Sequence, residues 1–160
     1  MNTIRLNIRN NLKLAQQRGA AIIEFALLLI PLLMIVSGIV EFGRAFWYYD
    51  ALAKSTRDGV RFLSESKTVS PPPAIDETLK SQVRDMVVAE ATAANVPGLL
   101  PSDVEVDCDP ADCNAPTYVT VRIDAYPIII CGWIPVFMPT GTTTQWISKV
   151  SPYTTMRYMR

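Results

Sequence analysis

The chain contains no histidine. That removes the usual general base, the Ser-His and Cys-His nucleophile pairs and the commonest metal ligand. Three cysteines and a few grouped carboxylates remain. Cys108 and Cys113 flank the turn-rich "DCDPADC", where a disulfide would pin a hairpin and fit an oxidising compartment. Cys131 is left odd, either a buried thiol or an intermolecular partner, and the absence of a CxxC spacing argues against zinc. Glu105, Asp107, Asp109 and Asp112 carry oxygens of the kind calcium takes. Their spacing forms no EF-hand loop, however, and the acidic face of a solvated strand accounts for them equally. With no GxGxxG or P-loop either, no enzyme, metal, cofactor or small-molecule substrate is expected.

Glu24 resists such an account. It is the one charge in "AAIIEFALLLIPLLMIVSGIV" (Ala20 to Val40). As a helix this run measures about 31 Å at ~1.5 Å per residue, close to the ~30 Å of a bilayer core. A carboxylate there costs a few kcal/mol unless it snorkels to water or meets a partner. A cut after Gly19 would supply that partner, because Ala20 would gain a free α-amino group one turn from Glu24 on the same face. Opposite charges ~4 Å apart gain about 4 kcal/mol at an effective dielectric of ~20. In an assembly the amine of a neighbouring subunit would serve as well.

The elements that position these residues follow from pattern. Residues 1 to 19 hold Arg5, Arg9, Lys13 and Arg18 and no acid, while Glu41, Arg44, Asp50 and Lys54 balance beyond the run. The positive-inside rule therefore puts the arm in the cytoplasm and everything after Val40 outside. The balanced total of 15 basic and 15 acidic residues gives no nucleic-acid footprint. Beyond Val40, Phe42, Ala45, Phe46, Tyr49, Leu52, Ala53, Thr56, Val60 and Leu63 recur in steps of three and four, which continues the helix to about residue 64 with one apolar face. Glu41, Arg44, Asp50, Lys54, Arg57, Asp58 and Arg61 fall largely off it. Trp47, Tyr48 and Tyr49 suit either the headgroup layer or packing on an outer domain.

"SPPPAID" stops this helix. Asp76 can cap a second one through Leu79, Val83, Met86 and Val87, ended by Pro97 and Gly98. "DVEVDCD" and "TYVTVRIDA" alternate with period two and read as an antiparallel hairpin, and Thr142 to Met159 adds one or two strands. The apolar "YPIIICGWIPVFMP" (Tyr126 to Pro139) is too short and proline-rich to span. It is either core or a surface that meets the membrane or a neighbouring subunit. The fold class expected is α+β: a long N-terminal transmembrane helix followed by a small outer domain with a second helix and an antiparallel sheet. The divisions are a leader (1–19), the long helix (20–64, membrane part 20–40), a proline-rich linker (65–75) and the outer domain (76–160).

The basic leader, Gly19 and "AAIIEF", with Glu24 and Phe25 fifth and sixth after the glycine, resemble a class III, or type IV prepilin, signal. That resemblance implies cleavage between Gly19 and Ala20 by a membrane prepilin peptidase, with the apolar helix left in place. Residues 18 to 64 resemble, more narrowly, the TadE-like minor pilins (pseudopilins) of the tight-adherence, or Flp, pilus system. The shared pattern is R-G-A, then E-F-A-L, Pro31, E-F-G-R (Glu41 to Arg44) and G-x-R (Gly59, Arg61), with "TTMRYMR" near the family's terminal M-R stretch. Met156 and Arg157 are followed by Tyr158, Met159 and Arg160 rather than an acid, and the cysteine hairpin has no family counterpart.

The resemblance implies a single-pass protein of the bacterial inner membrane, cytoplasmic at its N-terminus and periplasmic in its outer domain. Its partners would be the peptidase, other pilins and the pilus assembly platform, with Glu24 setting helix register and Pro31 either a plain kink or a turn that loosens during assembly. The alternative is an uncleaved membrane-anchored periplasmic binding or scaffold module.

Overall fold

The computed structural model describes residues 2–66, 75–111, 113–130 and 146–159. Most of the proline-rich linker, Asp112, Cys131 and the remainder of the apolar segment through Pro139 lie outside the described residues. The fold is α+β, with a long apolar N-terminal helix, a second helix and antiparallel sheets. The chain divides into two compact units, Met1–Glu41 and Phe42–Arg160.

Helix α1 (Asn2–Glu65) starts well before Ala20, so the basic leader is helical too. Leucines, glutamines, lysine and arginines there are good helix formers, and no glycine or proline interrupts them before Gly19. The helix also runs through Pro31. In the first unit the apolar run is exposed on every side, apart from half-buried Ser37 and Gly38. It is long and apolar enough to cross a membrane, and none of its most apolar window is buried in protein.

The second unit is built around the last turns of the same helix. Leu52, Val60 and Leu63 are fully buried together with Val83, Val87 and Ala91 of α2 (Glu77–Ala93). Asp76 caps α2 as expected, its Oδ1 accepting the Leu79 amide at 2.9 Å. The far end closes one step before the Pro97-Gly98 pair. Asn95 takes a left-handed φ of 60°. From there its amide reaches Thr92 O (2.9 Å) and the Val96 amide reaches Ala91 O (2.9 Å), a Schellman closure with Val96 buried behind it.

A three-stranded antiparallel sheet, in order β1-β2-β5, covers these helices. Strand β1 is Val104–Asp109, β2 is Tyr118–Ile123 and β5 is Tyr153–Arg157. The register Val104↔Ile123, Val106↔Val121 and Cys108↔Val119 puts the period-two apolar residues on one inner face. A Cys108–Cys113 disulfide (Cα–Cα 5.3 Å) closes the β1 end, and Cys113 O accepts the Ile75 amide at 3.1 Å. A separate two-stranded sheet pairs β3 (Tyr126–Ile130) with β4 (Trp146–Val150). The start of the ambiguous apolar segment is therefore a strand, with Tyr126 and Ile128 turned into the core.

Candidate membrane helix and assembly surface

The structure places Gly19, Ala20, Glu24 and Phe25 on consecutive turns of α1, with Glu24 and Phe25 exposed within the apolar run. In the intact chain the Ala20 nitrogen is a peptide amide, so an amine beside Glu24 would exist only after a cut at Gly19. Cys108 and Cys113 lie far along the chain, in the hairpin of the outer domain.

The core-facing side of α1 keeps Leu52, Thr56, Val60 and Leu63 of the row written above, all fully buried, and extends to one side of it. Ala45, Tyr48, Leu52, Ser55, Gly59 and Leu63 follow one another at steps of three and four, and Leu52, Ser55, Gly59 and Leu63 are buried. Glu41, four residues before Ala45 on that row, is buried as well rather than off the stripe. Phe42, Phe46 and Tyr49 sit to the side and are exposed. The difference has a steric cause. Gly59 marks the closest approach of α1 to α2: a Cβ there would lie 2.7 Å from Val87 Cγ2 and 3.4 Å from Val83 Cγ1. A row chosen for bulk passes over the glycine and serine that let two helices touch. The buried hydroxyls are satisfied locally, Ser55 Oγ donating to Leu52 O (2.9 Å) and Thr56 Oγ1 to Ala53 O (3.0 Å). Thr56 also meets Thr154 Oγ1 of β5 at 3.1 Å.

Polar contacts tie the flank of α1 to the rest of its unit. The Trp47 indole N–H donates to Ala94 O at the end of α2 (3.1 Å), so the polar handle of this ring goes to the outer domain. Arg44 Nη2 donates to Ile129 O (3.1 Å), and its guanidinium stands 6.0 Å from the centre of the Tyr48 ring. At the other end, Ser64 O accepts the Met159 amide (3.1 Å) and Ser66 O accepts the Tyr158 hydroxyl (2.6 Å). The terminal stretch thus closes onto the end of α1, a contact that no local pattern announces.

Electrostatics give the acidic strand a plain role. Arg122 on β2 bonds Glu105 and lies 3.9 Å from Asp107, and the Glu105 contact holds its guanidinium pKa above the ordinary value. Glu105 and Asp107 of β1 thus face a cross-strand cation. Asp112 is outside the described residues, and among those described no cluster of His, Cys, Asp or Glu could hold a metal ion. Among the described residues the Glu90 carboxyl of α2 is pushed up by burial, with Asp58 of α1 adding to the shift.

Among the described residues one helix is long and apolar enough to cross a membrane, and a small α+β unit follows it. Comparison with known proteins finds a likeness over part of that helix. Residues 19–61 match the model of the TadE-like protein family, so this segment of the chain is similar to that family. The matched residues begin at Gly19 and end at Arg61, next to the Gly59 helix contact. No curated protein and no solved structure matches the chain.

Proposed function

We propose that this protein is a minor pilin, or pseudopilin, which a prepilin peptidase cuts after Gly19 and which then takes part in assembling an adhesive pilus of the Tad/Flp type. The observation that carries the reading is the family match beginning at Gly19, over a helix whose apolar run bears the lone carboxylate Glu24. The run anchors the protein in the inner membrane, with the basic arm in the cytoplasm and the second unit in the periplasm. Cleavage places an amine at Ala20, one turn from Glu24, and the pair sets the register of the helix among its neighbours. The second unit offers contacts to other pilins and to the assembly platform.

Mass spectrometry of the membrane-bound protein tests the cut. In cells that have the peptidase the chain should start at Ala20, and in cells without it at the original N-terminus. A chain that keeps residues 1 to 19 in both strains would overturn the reading and favour an uncleaved anchored module. Glu24→Ala should abolish or strongly reduce piliation while leaving membrane insertion intact.

A further inference from the structure

The inner face of the β1-β2-β5 sheet covers the helices, and its outer face is ordered by charge. Register draws three rows across that outer face: Asp109, Tyr118 and Arg157; Asp107, Thr120 and Thr155; Glu105, Arg122 and Tyr153. Strand β1, on one side of the sheet, brings three carboxylates and no cation, while β5, on the other side, brings Arg157 and no acid. Among the described residues the ion pairs of this face are those of Arg122 with Glu105 and Asp107, and neither Asp109 nor Arg157 enters one. Strand β2 stands between these two, which places their backbones ~10 Å apart.

The rings on this face are open. Tyr118 is 46% exposed and Tyr153 70%, and Thr120 Oγ1 meets Thr155 Oγ1 at 2.8 Å in the row between them. A tyrosine ring buries a large area at low conformational cost and keeps a hydroxyl for pairing, which is why protein interfaces favour it.

Such a face is complementary to itself in one orientation. Two sheets stack ~10 Å apart with their strands aligned within about 30°. A two-fold axis running along β2 between them lays β1 of each copy over β5 of the other and preserves height along the strands. The first row then sets Asp109 of each copy against Arg157 of the other, with the two Tyr118 rings between them. The third row sets Glu105 against the Tyr153 hydroxyl. Arg122 meets its own counterpart near the axis, already neutralised by Glu105 of its own copy. An axis across the strands would instead lay β1 on β1, three carboxylates against three, which like-charge repulsion disfavours.

We propose that the outer face of the β1-β2-β5 sheet is a pairing surface whose occupant is the same face of a second copy of this chain. The two tyrosines supply the buried area, and the crossed Asp109 and Arg157 pairs select the orientation. The inference goes beyond the function proposed above. It stands on the second unit alone and does not depend on a cut at Gly19.

The test uses the full chain in detergent micelles, with self-association followed by sedimentation equilibrium. Asp109→Arg sets arginine against arginine and Arg157→Asp sets aspartate against aspartate, so each alone should weaken the dimer by roughly tenfold or more. An equal mixture of the two variants should restore it, because both crossed pairs of the mixed dimer are again of opposite sign. That recovery also shows that both variants fold. In the otherwise unchanged chain, photoreactive benzoylphenylalanine in place of Tyr118 should give an adduct to a second copy on illumination, and in place of exposed Leu100, off the sheet, it should give none. A monomeric chain, a dimer indifferent to the charge reversals, or a Tyr118 adduct confined to its own chain or to detergent would overturn the pairing surface. Pairing through the apolar helix alone would give that indifferent dimer. The N-terminal mass that tests the cut at Gly19 moves with none of these, so the two readings fail separately.

Discussion

Two stretches of one helix meet two different surroundings. Between residues 21 and 40, α1 is apolar all round and almost wholly uncovered, whereas between Leu52 and Ser64 it presents one buried row and charged residues on the other side. The first stretch has large side chains and a solitary carboxylate, and the second admits glycine and serine at its closest contact. The difference shows what each half is adapted to. A helix in lipid needs apolar bulk in every direction. A helix in a protein core needs the right shape in one direction.

The comparison breaks most readily at the large core side chains. Leu63→Ala should destabilise the outer unit by about 2–5 kcal/mol, while Leu28→Ala should leave its unfolding midpoint unchanged. Denaturant titration of the detergent-solubilised protein reads both, and a matching loss for Leu28→Ala would erase the distinction between the halves.

Gly59→Ala comes next. Its new methyl meets a fully buried, stiff Val87, and the expected loss is about 1–3 kcal/mol despite alanine's better helix propensity. Val87→Ala in the same chain should recover part of it, since the double substitution removes the clash, and thermal unfolding of the three variants checks this coupling.

Replacing Cys108 and Cys113 by serine removes a short loop constraint, about 2 kcal/mol on a chain-entropy estimate. The loss should appear in the unfolding of the outer unit and not in extraction of the protein from the membrane.

The smallest effect concerns Glu90. Its folded-state carboxyl pKa is raised, so the folded chain holds the proton more tightly than the unfolded chain. Stability from this group is present below the unfolded pKa and is lost as pH rises through the folded one. Asp50, Lys54 and Asp58 line the same hollow and set the local charge. Glu90→Gln should flatten that decline and raise neutral-pH stability by under about 0.5 kcal/mol, read from melting temperatures at pH 4 and pH 7.

Much of this architecture is legible from local pattern. The long helix, the Asp76 cap and the β1–β2 hairpin follow from period and punctuation, because each depends on residues close in sequence. Strand β3 is not legible, since "YPIII" lacks alternation and its partner comes after the long segment before Trp146. The facing of α1 is legible at Leu52, Thr56, Val60 and Leu63 but not at Gly59 and Ser55, because apolar size marks burial where a core is filled, not where backbones approach. Asn95 rather than Pro97 closes α2 because a left-handed residue ends a helix without needing a breaker. Charge and spacing single out Gly19 and Glu24 as proposed site residues, while the groove beside Phe46 appears only when β3 and β4 are brought to it.

The closure of the terminal stretch onto α1 has a mechanical meaning. Thr56 to Thr154, Ser64 to Met159 and Ser66 to Tyr158 are three fastenings spread along the last turns of the helix, all reaching the final strand or the residues just after it. A pull along these turns is divided among them and passed straight into the sheet. The last turns of α1 are thereby coupled to the final strand as a rivet line couples a plate to a beam.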